Sequence, residues 1–425
     1  MNVSITNIGK ISDASFSVND ITVIAGINSS GKTTVAKVLA GILNPLSNLS
    51  SYVNDLRLQS INSKVLDWLS GFSNTLFFEA YFNHLKPADT LYEFLRNNNR
   101  SQINGSDLYD LFISGKRAKK PAKEKTDSLA EQLNNILFRQ DSDYYERIFE
   151  LSLSSFFGNQ IVTEGVEQGF VSLDNTFRFQ IAEKKSKITV LSQDAVFDGQ
   201  VVYISAGFSF SDWPFSDHDL RMKERSRIMN YENNGFYTIT DQLRKPSIHS
   251  NSTMSFEDYE ETKERISLFK DLIEGIVNGF VDINSEKGTT FVENGSNSIN
   301  LCNVATGVLP FSTIEHLIEN GTLKSGSFLI IDEPETHLHP QWQVLFGKLL
   351  CRLSKELGIR VVVLSHSPYL IRSIEKEVAS GGFDREARFY LMTEDDSGKG
   401  LSVAKDVSDR TDEIYYQLYR PLEEI

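Results

Sequence analysis

The chain has 425 residues, 40% hydrophobic and 24% charged, the balance of a globular protein with room for two or three packed units. Its two cysteines, Cys302 and Cys351, stand far apart in no metal-ligand spacing, which argues against a disulfide framework and for a reducing compartment. A formal net charge of −14 repels a phosphate backbone at long range, so nucleic acid could be held only through local basic patches.

The start of the chain shows no basic segment followed by an apolar one, and no apolar run approaches the ~20 residues that span a bilayer. A soluble, cytoplasmic chain with no membrane partner is expected. Residues 2 to 24 alternate apolar and polar through Val3, Ile5, Ile8, Ile11, Phe16 and Val18, then end in Ile21-Thr22-Val23-Ile24. This predicts an antiparallel pair leading into a buried strand. A helix opens at Lys32, with Val35, Val38, Leu39 and Ile42 on one face, and Asn44-Pro45 is expected to stop it.

From about 50 to 160 the pattern is helical, interrupted by a basic stretch at 116–125 that reads as an exposed loop. Alternation returns over 169–205, and 206–280 is polar and helical, with charge-rich segments at 221–227 and 257–265. After 280, Phe328-Leu329-Ile330-Ile331 and Val361-Val362-Val363-Leu364 read as buried strands. The helix between them carries Trp342, Leu345, Phe346, Leu349, Leu350 and Leu353 on one stripe, so the two strands should lie parallel. The expected division is a core in three parts (1–48, a β-rich 166–205, and 281–425) with helical insertions at 49–165 and 206–280.

Gly26-Ile27-Asn28-Ser29-Ser30-Gly31-Lys32-Thr33 fits the G-x-x-x-x-G-K-[ST] spacing between a strand and a helix. Gly26 and Gly31 let the backbone amides turn inward around phosphate oxygens, and the helix N-terminus adds its partial positive charge. Asn28, Ser29 and Ser30 complete the loop. Lys32 would reach the β- and γ-phosphates, Thr33 would ligate Mg²⁺, and Thr34 would add an α-phosphate contact. ATP with Mg²⁺ is the ligand this loop predicts.

The apolar strand at 328–331 ends in Asp332-Glu333, at the strand tip where ligands bind in open α/β sheets. Asp332 is placed to hold Mg²⁺ and Glu333 to orient the attacking water. His366, in Leu364-Ser365-His366-Ser367-Pro368 past the next strand, is placed to contact the γ-phosphate, and Gln341 is a weaker candidate nearby. His337 and His339 form an H-x-H pair, but no further ligand completes a tetrahedral site, so a structural or subunit-contact role is preferred. Glu394-Asp395-Asp396 reads as a solvated turn.

The Asp332-to-Pro340 run (DEP-x-x-HLHP), the SHSPYLI segment at 365–371 and the glycine-lysine loop together resemble the ABC-type ATPases of the OLD, RecF and SMC clade. The resemblance covers about residues 1–45 and 280–425. It implies an α/β P-loop NTPase fold, the ABC-type ATPase head, with a large, mainly helical insertion. It also implies a head-to-head dimer or higher multiple, with each ATP held between one P-loop and the other copy's signature loop. The matching place is Asn303 to Val308. Ala305, Thr306 and Gly307 would face the nucleotide, with Ala305 where a serine hydroxyl is usual and Gly307 permitting close approach.

The altered loop looks most like the stand-alone ATPases of anti-phage systems, those of Septu first, then of PARIS and retron-linked systems. That implies a separate nuclease partner of HNH or Toprim type. Only about 60 residues follow His366, too few for a nuclease domain of its own. DNA would be met directly or through that partner. Three rivals remain: a DNA-repair or chromosome-structuring ATPase using 116–125 and Arg221, Lys223, Arg225 and Arg227; a transporter motor subunit; and a nucleotide-gated scaffold with little turnover.

Overall fold

The computed structural model describes residues 1–71, 77, 86–114, 122–158, 160–174, 177–183, 187–193, 199–208, 239–245, 255–273, 279–284, 288–293, 298–380 and 383–420. Lys116, Arg117, Lys119 and Lys120 of the basic stretch, the four basic residues at 221–227, and much of 206–280 lie outside them. The chain divides into two compact units, residues 48–148 and the remainder.

The larger unit is built on an eleven-stranded mixed sheet. Its strands in chain order are β1 (Asn2–Ile8), β2 (Ile11–Ser17), β3 (Ile21–Ala25), β4 (Gln168–Leu173), β5 (Phe177–Ala182), β6 (Ile188–Gln193), β7 (Val201–Ile204), β11 (Phe328–Asp332), β12 (Arg360–Ser365), β13 (Ala387–Glu394) and β14 (Ser402–Asp406). Strands β8 (Gly279–Asn284), β9 (Gly288–Glu293) and β10 (Ser298–Asn300) form a second, three-stranded antiparallel sheet. The large sheet runs β6-β5-β4-β1-β2-β14-β13-β3-β12-β11-β7. From β13 to β7 every pairing is parallel, and from β6 to β2 every pairing is antiparallel.

The amino-acid pattern accounts for this split. β3 and β11 are buried at every residue and β12 at all but its first, as continuous apolar runs covered on both faces must be. β4 and β5 alternate buried and exposed positions, as strands with one wet face do. The antiparallel β1–β2 pair, the buried third strand and the parallel β11–β12 pair are those expected from the sequence. No described helix is long and apolar enough to cross a membrane.

The described helices are α1 (Lys32–Ser47), α2 (Leu49–Ser70), α3 (Pro87–Asn97), α4 (Gly105–Phe112), α5 (Lys123–Leu137), α6 (Ser142–Phe157), α7 (Ile239–Leu243), α8 (Phe256–Ile273), α9 (Leu309–Glu319), α10 (Pro340–Leu357), α11 (Pro368–Ala379) and α12 (Asp412–Tyr419). One boundary differs from expectation: α1 continues through Pro45 to Ser47. Proline removes only one backbone bond that late in a helix, its ring is buried, and Ser47 Oγ takes up the Asn44 carbonyl.

The 48–148 unit has its own core, where α2, α3, α4 and α5 bury Ile61, Val65, Leu91, Leu108 and Leu133. A reciprocal cap opens α4: Asn104 Oδ1 accepts from the Asp107 amide and Asp107 Oδ2 accepts from the Asn104 amide.

Candidate functional site

Three adjacent strands, β3, β12 and β11, end on one side of the sheet, and each is followed by a polar turn. β3 leads into Gly26 to Gly31 and then α1. In that loop Ser29 and Gly31 have positive φ, 63° and 88°, so the backbone turns sharply just before the helix. Gly26 is glycine for want of space, since a Cβ there would stand 2.6 Å from Ser30 Oγ. Ile27, Asn28 and Ser29 are exposed, whereas Lys32 is buried at 3% relative exposure.

Lys32 Nζ donates to the Gly26 carbonyl at 2.9 Å and the Ile27 carbonyl at 2.8 Å, and stands 3.9 Å from Glu333 Oε1. Burial pushes its pKa below the usual lysine value, opposed by the charges of Glu333, Glu335 and Asp332. The lysine near the start of the chain and carboxylates about three hundred positions later therefore share one site.

Asp332 closes β11 at 1% exposure, with no hydrogen-bond partner on either carboxylate oxygen among the described residues. Burial lifts its pKa to about 6; the Thr33 hydroxyl is near enough to favour the charged form without completing a hydrogen bond. A buried, unbonded carboxylate beside a hydroxyl and next to a phosphate-type loop is a donor set that fits a small divalent cation. Glu333 follows with φ 51°, its amide donating to the Leu364 carbonyl of β12 at 2.8 Å. That left-handed turn lifts its side chain out of the strand row toward Lys32.

β12 runs into Ser365-His366-Ser367, and Ser367 caps α11 by accepting from the Leu370 amide, with Pro368 at the first helical position. His366 Nδ1 lies 3.6 Å from Glu333 Oε1 and 3.2 Å from Glu335 Oε1. Glu335 was not among the sequence candidates. It is buried at 5%, and its Oε1 accepts from Ser365 Oγ at 2.7 Å, the His366 amide at 2.8 Å and the Ser367 amide at 3.1 Å.

Two further residues escaped the sequence reading. Gln343, rather than Gln341, joins the turns, donating to the Leu338 carbonyl at 2.9 Å and accepting from Ser367 Oγ at 2.6 Å. Gln341 is exposed at the start of α10. Tyr203 of β7 pairs in register with Ile330, and its buried hydroxyl has no partner among the described residues. Burial first, then the charge of Asp332, raises that phenol's pKa.

His339 caps α10, its Nδ1 accepting from the Gln341 amide. Ala305 and Thr306 are exposed, and Gly307 is buried. A Cβ on Gly307 would stand 2.6 Å from the Trp342 ring, so packing within the chain already requires glycine there. Thr306 shares a cavity of about 90 Å³ with Ser205, Asp332, Glu333 and His337. The Glu394-to-Asp396 segment forms the β13–β14 turn, with Asp395 Oδ1 accepting from the Ser397 amide at 3.1 Å.

A glycine-lysine loop between a buried strand and a helix, faced by a strand-end aspartate and glutamate, defines a P-loop ATPase of the α/β class. The family model described as AAA ATPase domain matches residues 1–371, and the chain belongs to that family. No curated protein matches. Among solved structures, the chain is similar to the SMC head domain from Thermotoga maritima, at 12% identity and TM-score 0.35 over 96% of this chain and 98% of that one. It is also similar to an SMC head bound to the C-winged-helix domain of ScpA (12%, TM-score 0.42, 97% and 98%). A third is the Smc head with an extended coiled coil bound to the C-terminal domain of ScpA derived from Pyrococcus furiosus (11%, TM-score 0.39, 100% and 98%).

Proposed function

We propose that this chain binds ATP with Mg²⁺ at Gly26 to Thr34 and hydrolyses it, and that its nucleotide state governs a separate nuclease in a cytoplasmic anti-phage complex. One observation carries the catalytic half: Lys32, Asp332, Glu333 and His366 come from opposite ends of the chain and converge at three neighbouring strand tips. Phosphoryl transfer depends mostly on positioning and charge stabilisation, which such a cluster can supply.

The loop amides and Lys32 take the β- and γ-phosphates, for which Lys32 exchanges its hold on the Gly26 and Ile27 carbonyls. Thr33 and Asp332 are the residues that would hold Mg²⁺, which when bound supplies charge neutralisation of the phosphates. Glu333, partly open to solvent, orients and polarises the attacking water. His366, beside it, contacts the γ-phosphate.

The partner half is supported by the resemblance of the altered loop at Asn303 to Val308 to the stand-alone ATPases of anti-phage systems. Exposed Ala305 and Thr306 are available to a second copy in a head-to-head dimer or higher multiple, and the compact 48–148 unit offers a separate docking module. The nuclease is of HNH or Toprim type, and DNA is reached through it or directly. Ala305 favours a second reading, a nucleotide-gated scaffold, because a methyl group replaces the hydroxyl that would meet the γ-phosphate.

Titration calorimetry and turnover of three proteins test the catalytic half. Lys32→Ala loses ATP uptake, while Glu333→Gln keeps uptake and loses turnover by about 100-fold or more. Wild-type turnover no faster than that of Glu333→Gln leaves only the scaffold. Co-expression with the neighbouring reading frame tests the defence role, and failure of that pair to protect cells against any phage in a broad panel sinks it.

A further inference from the structure

Glu335 is buried beside the site and has more hydrogen-bond donors on one oxygen than a surface stitch needs. Oε1 alone meets Ser365 Oγ and the amides of His366 and Ser367, and the His366 ring nitrogen Nδ1 stands 3.2 Å from the same oxygen. The surroundings of that turn are closed as well. The Ser367 amide also donates to Ser365 Oγ at 2.9 Å, and Ser367 Oγ donates to Gln343, whose amide holds the Leu338 carbonyl. The chain after β11 and the chain after β12 are therefore locked together at the level of His366, with a single carboxylate oxygen at the crossing.

An acceptor oxygen beside Nδ1 decides which imidazole nitrogen carries the proton, because only N–H can face a carboxylate without repulsion. Carboxylate oxygens of Glu333 and Glu335 both lie within 4 Å of Nδ1, and among the described residues neither completes a hydrogen bond with it. Glu333 is partly exposed, whereas Glu335 is buried and held by three donors.

We infer that Glu335 is a positioning residue for His366: it fixes the backbone of the Ser365-to-Ser367 turn and keeps the ring protonated on Nδ1, leaving Nε2 for the terminal phosphate. The inference rests on the ATPase reading above. Because Glu335 acts through the ring, its removal impairs the chemical step and spares nucleotide uptake.

The test combines kinetics with ¹⁵N NMR of histidine-labelled protein. Glu335→Gln keeps the acceptor oxygen and side-chain volume, so the fold and the KM for ATP stay close to wild type while kcat falls about 10–100-fold. Adding His366→Ala to Glu335→Gln causes no further loss beyond that of His366→Ala alone, since both changes remove one device. In wild-type protein without nucleotide the His366 ring resonates as the Nδ1–H tautomer. Unchanged kcat in Glu335→Gln, or losses that multiply in the double variant, would overturn the inference. So would an Nε2–H tautomer in wild type, a measurement that needs neither a variant nor turnover. Absence of wild-type turnover together with the Nδ1–H tautomer sinks the ATPase reading and leaves the positioning contact standing.

Discussion

The strand tips around Asp332 and the helical unit of residues 48–148 treat acidic side chains in opposite ways. In the helical unit no acid among the described residues is buried; Asp107 closes a helix end and Asp141 pairs with Arg57 at 2.8 Å. In the larger unit, among the described residues, Asp332 is buried without donors, Glu335 is buried on three, and Glu315 is buried in α9 with Oε2 unbonded. A carboxylate taken out of water without donors destabilises the fold by several kcal/mol in principle, so its persistence marks a place selected for something other than stability. The contrast separates a module that is stable by packing from one that holds charge ready for a ligand.

The widest break in that contrast comes from Asp332→Asn. Magnesium-dependent ATP uptake is expected to disappear in calorimetry, while the nucleotide-free protein gains about 1–3 kcal/mol, read as a higher Tm, because an uncompensated buried charge is gone. A variant that melts lower would place Asp332 with the structural acids instead.

This site was readable from the sequence where its residues are close neighbours in the chain. The loop spacing before α1, the apolar run ending in Asp332-Glu333 and the serine-histidine turn after β12 are local patterns, and the folded chain brings all three together. Glu335 was missed because its role depends on the distance between two strand tips, which no spacing encodes. Gln343 was passed over for Gln341 because two positions at a helix start point in different directions, and only the place where α10 begins settles which turns inward. Tyr203 faces Asp332 through the register of β7 on β11, a pairing between segments over a hundred residues apart. Gly307, read as room for a partner's nucleotide, already has a reason in the indole of Trp342. Pro45, read as a stop, lies inside a helix whose buried last turn tolerates it.

Glu315→Gln sharpens the contrast at a second buried acid. Burial lifts the Glu315 carboxyl to about 8 and that of Glu319 to about 7, with Glu319 adding to the first and Lys270 opposing both. Folded values above the free-chain 4.5 mean that this contribution to stability is complete below about pH 4.5 and is lost as pH rises through 7 to 8. The wild-type Tm therefore falls between about pH 4.5 and 8, and Glu315→Gln removes roughly 1–3 kcal/mol of that loss. Parallel melting profiles for the two proteins would show the burial to be harmless.

The smallest effect lies in the helical unit. Asn104→Ala removes one side of the reciprocal cap on α4 and lowers stability by about 1 kcal/mol, with ATP turnover unchanged. A turnover change beyond twofold would mean that the two units are not energetically separate.

The order of strands has a consequence for how the protein is made. β3, which carries the phosphate loop, lies between β12 and β13, so both its neighbours leave the ribosome long after it does. Throughout synthesis Ile21–Ala25 remains an apolar segment without its final pairing, a natural client for holding chaperones. Products released before Leu391 has emerged lack a completed seat for the loop, so a prematurely terminated chain contributes no half-active subunit to an assembly.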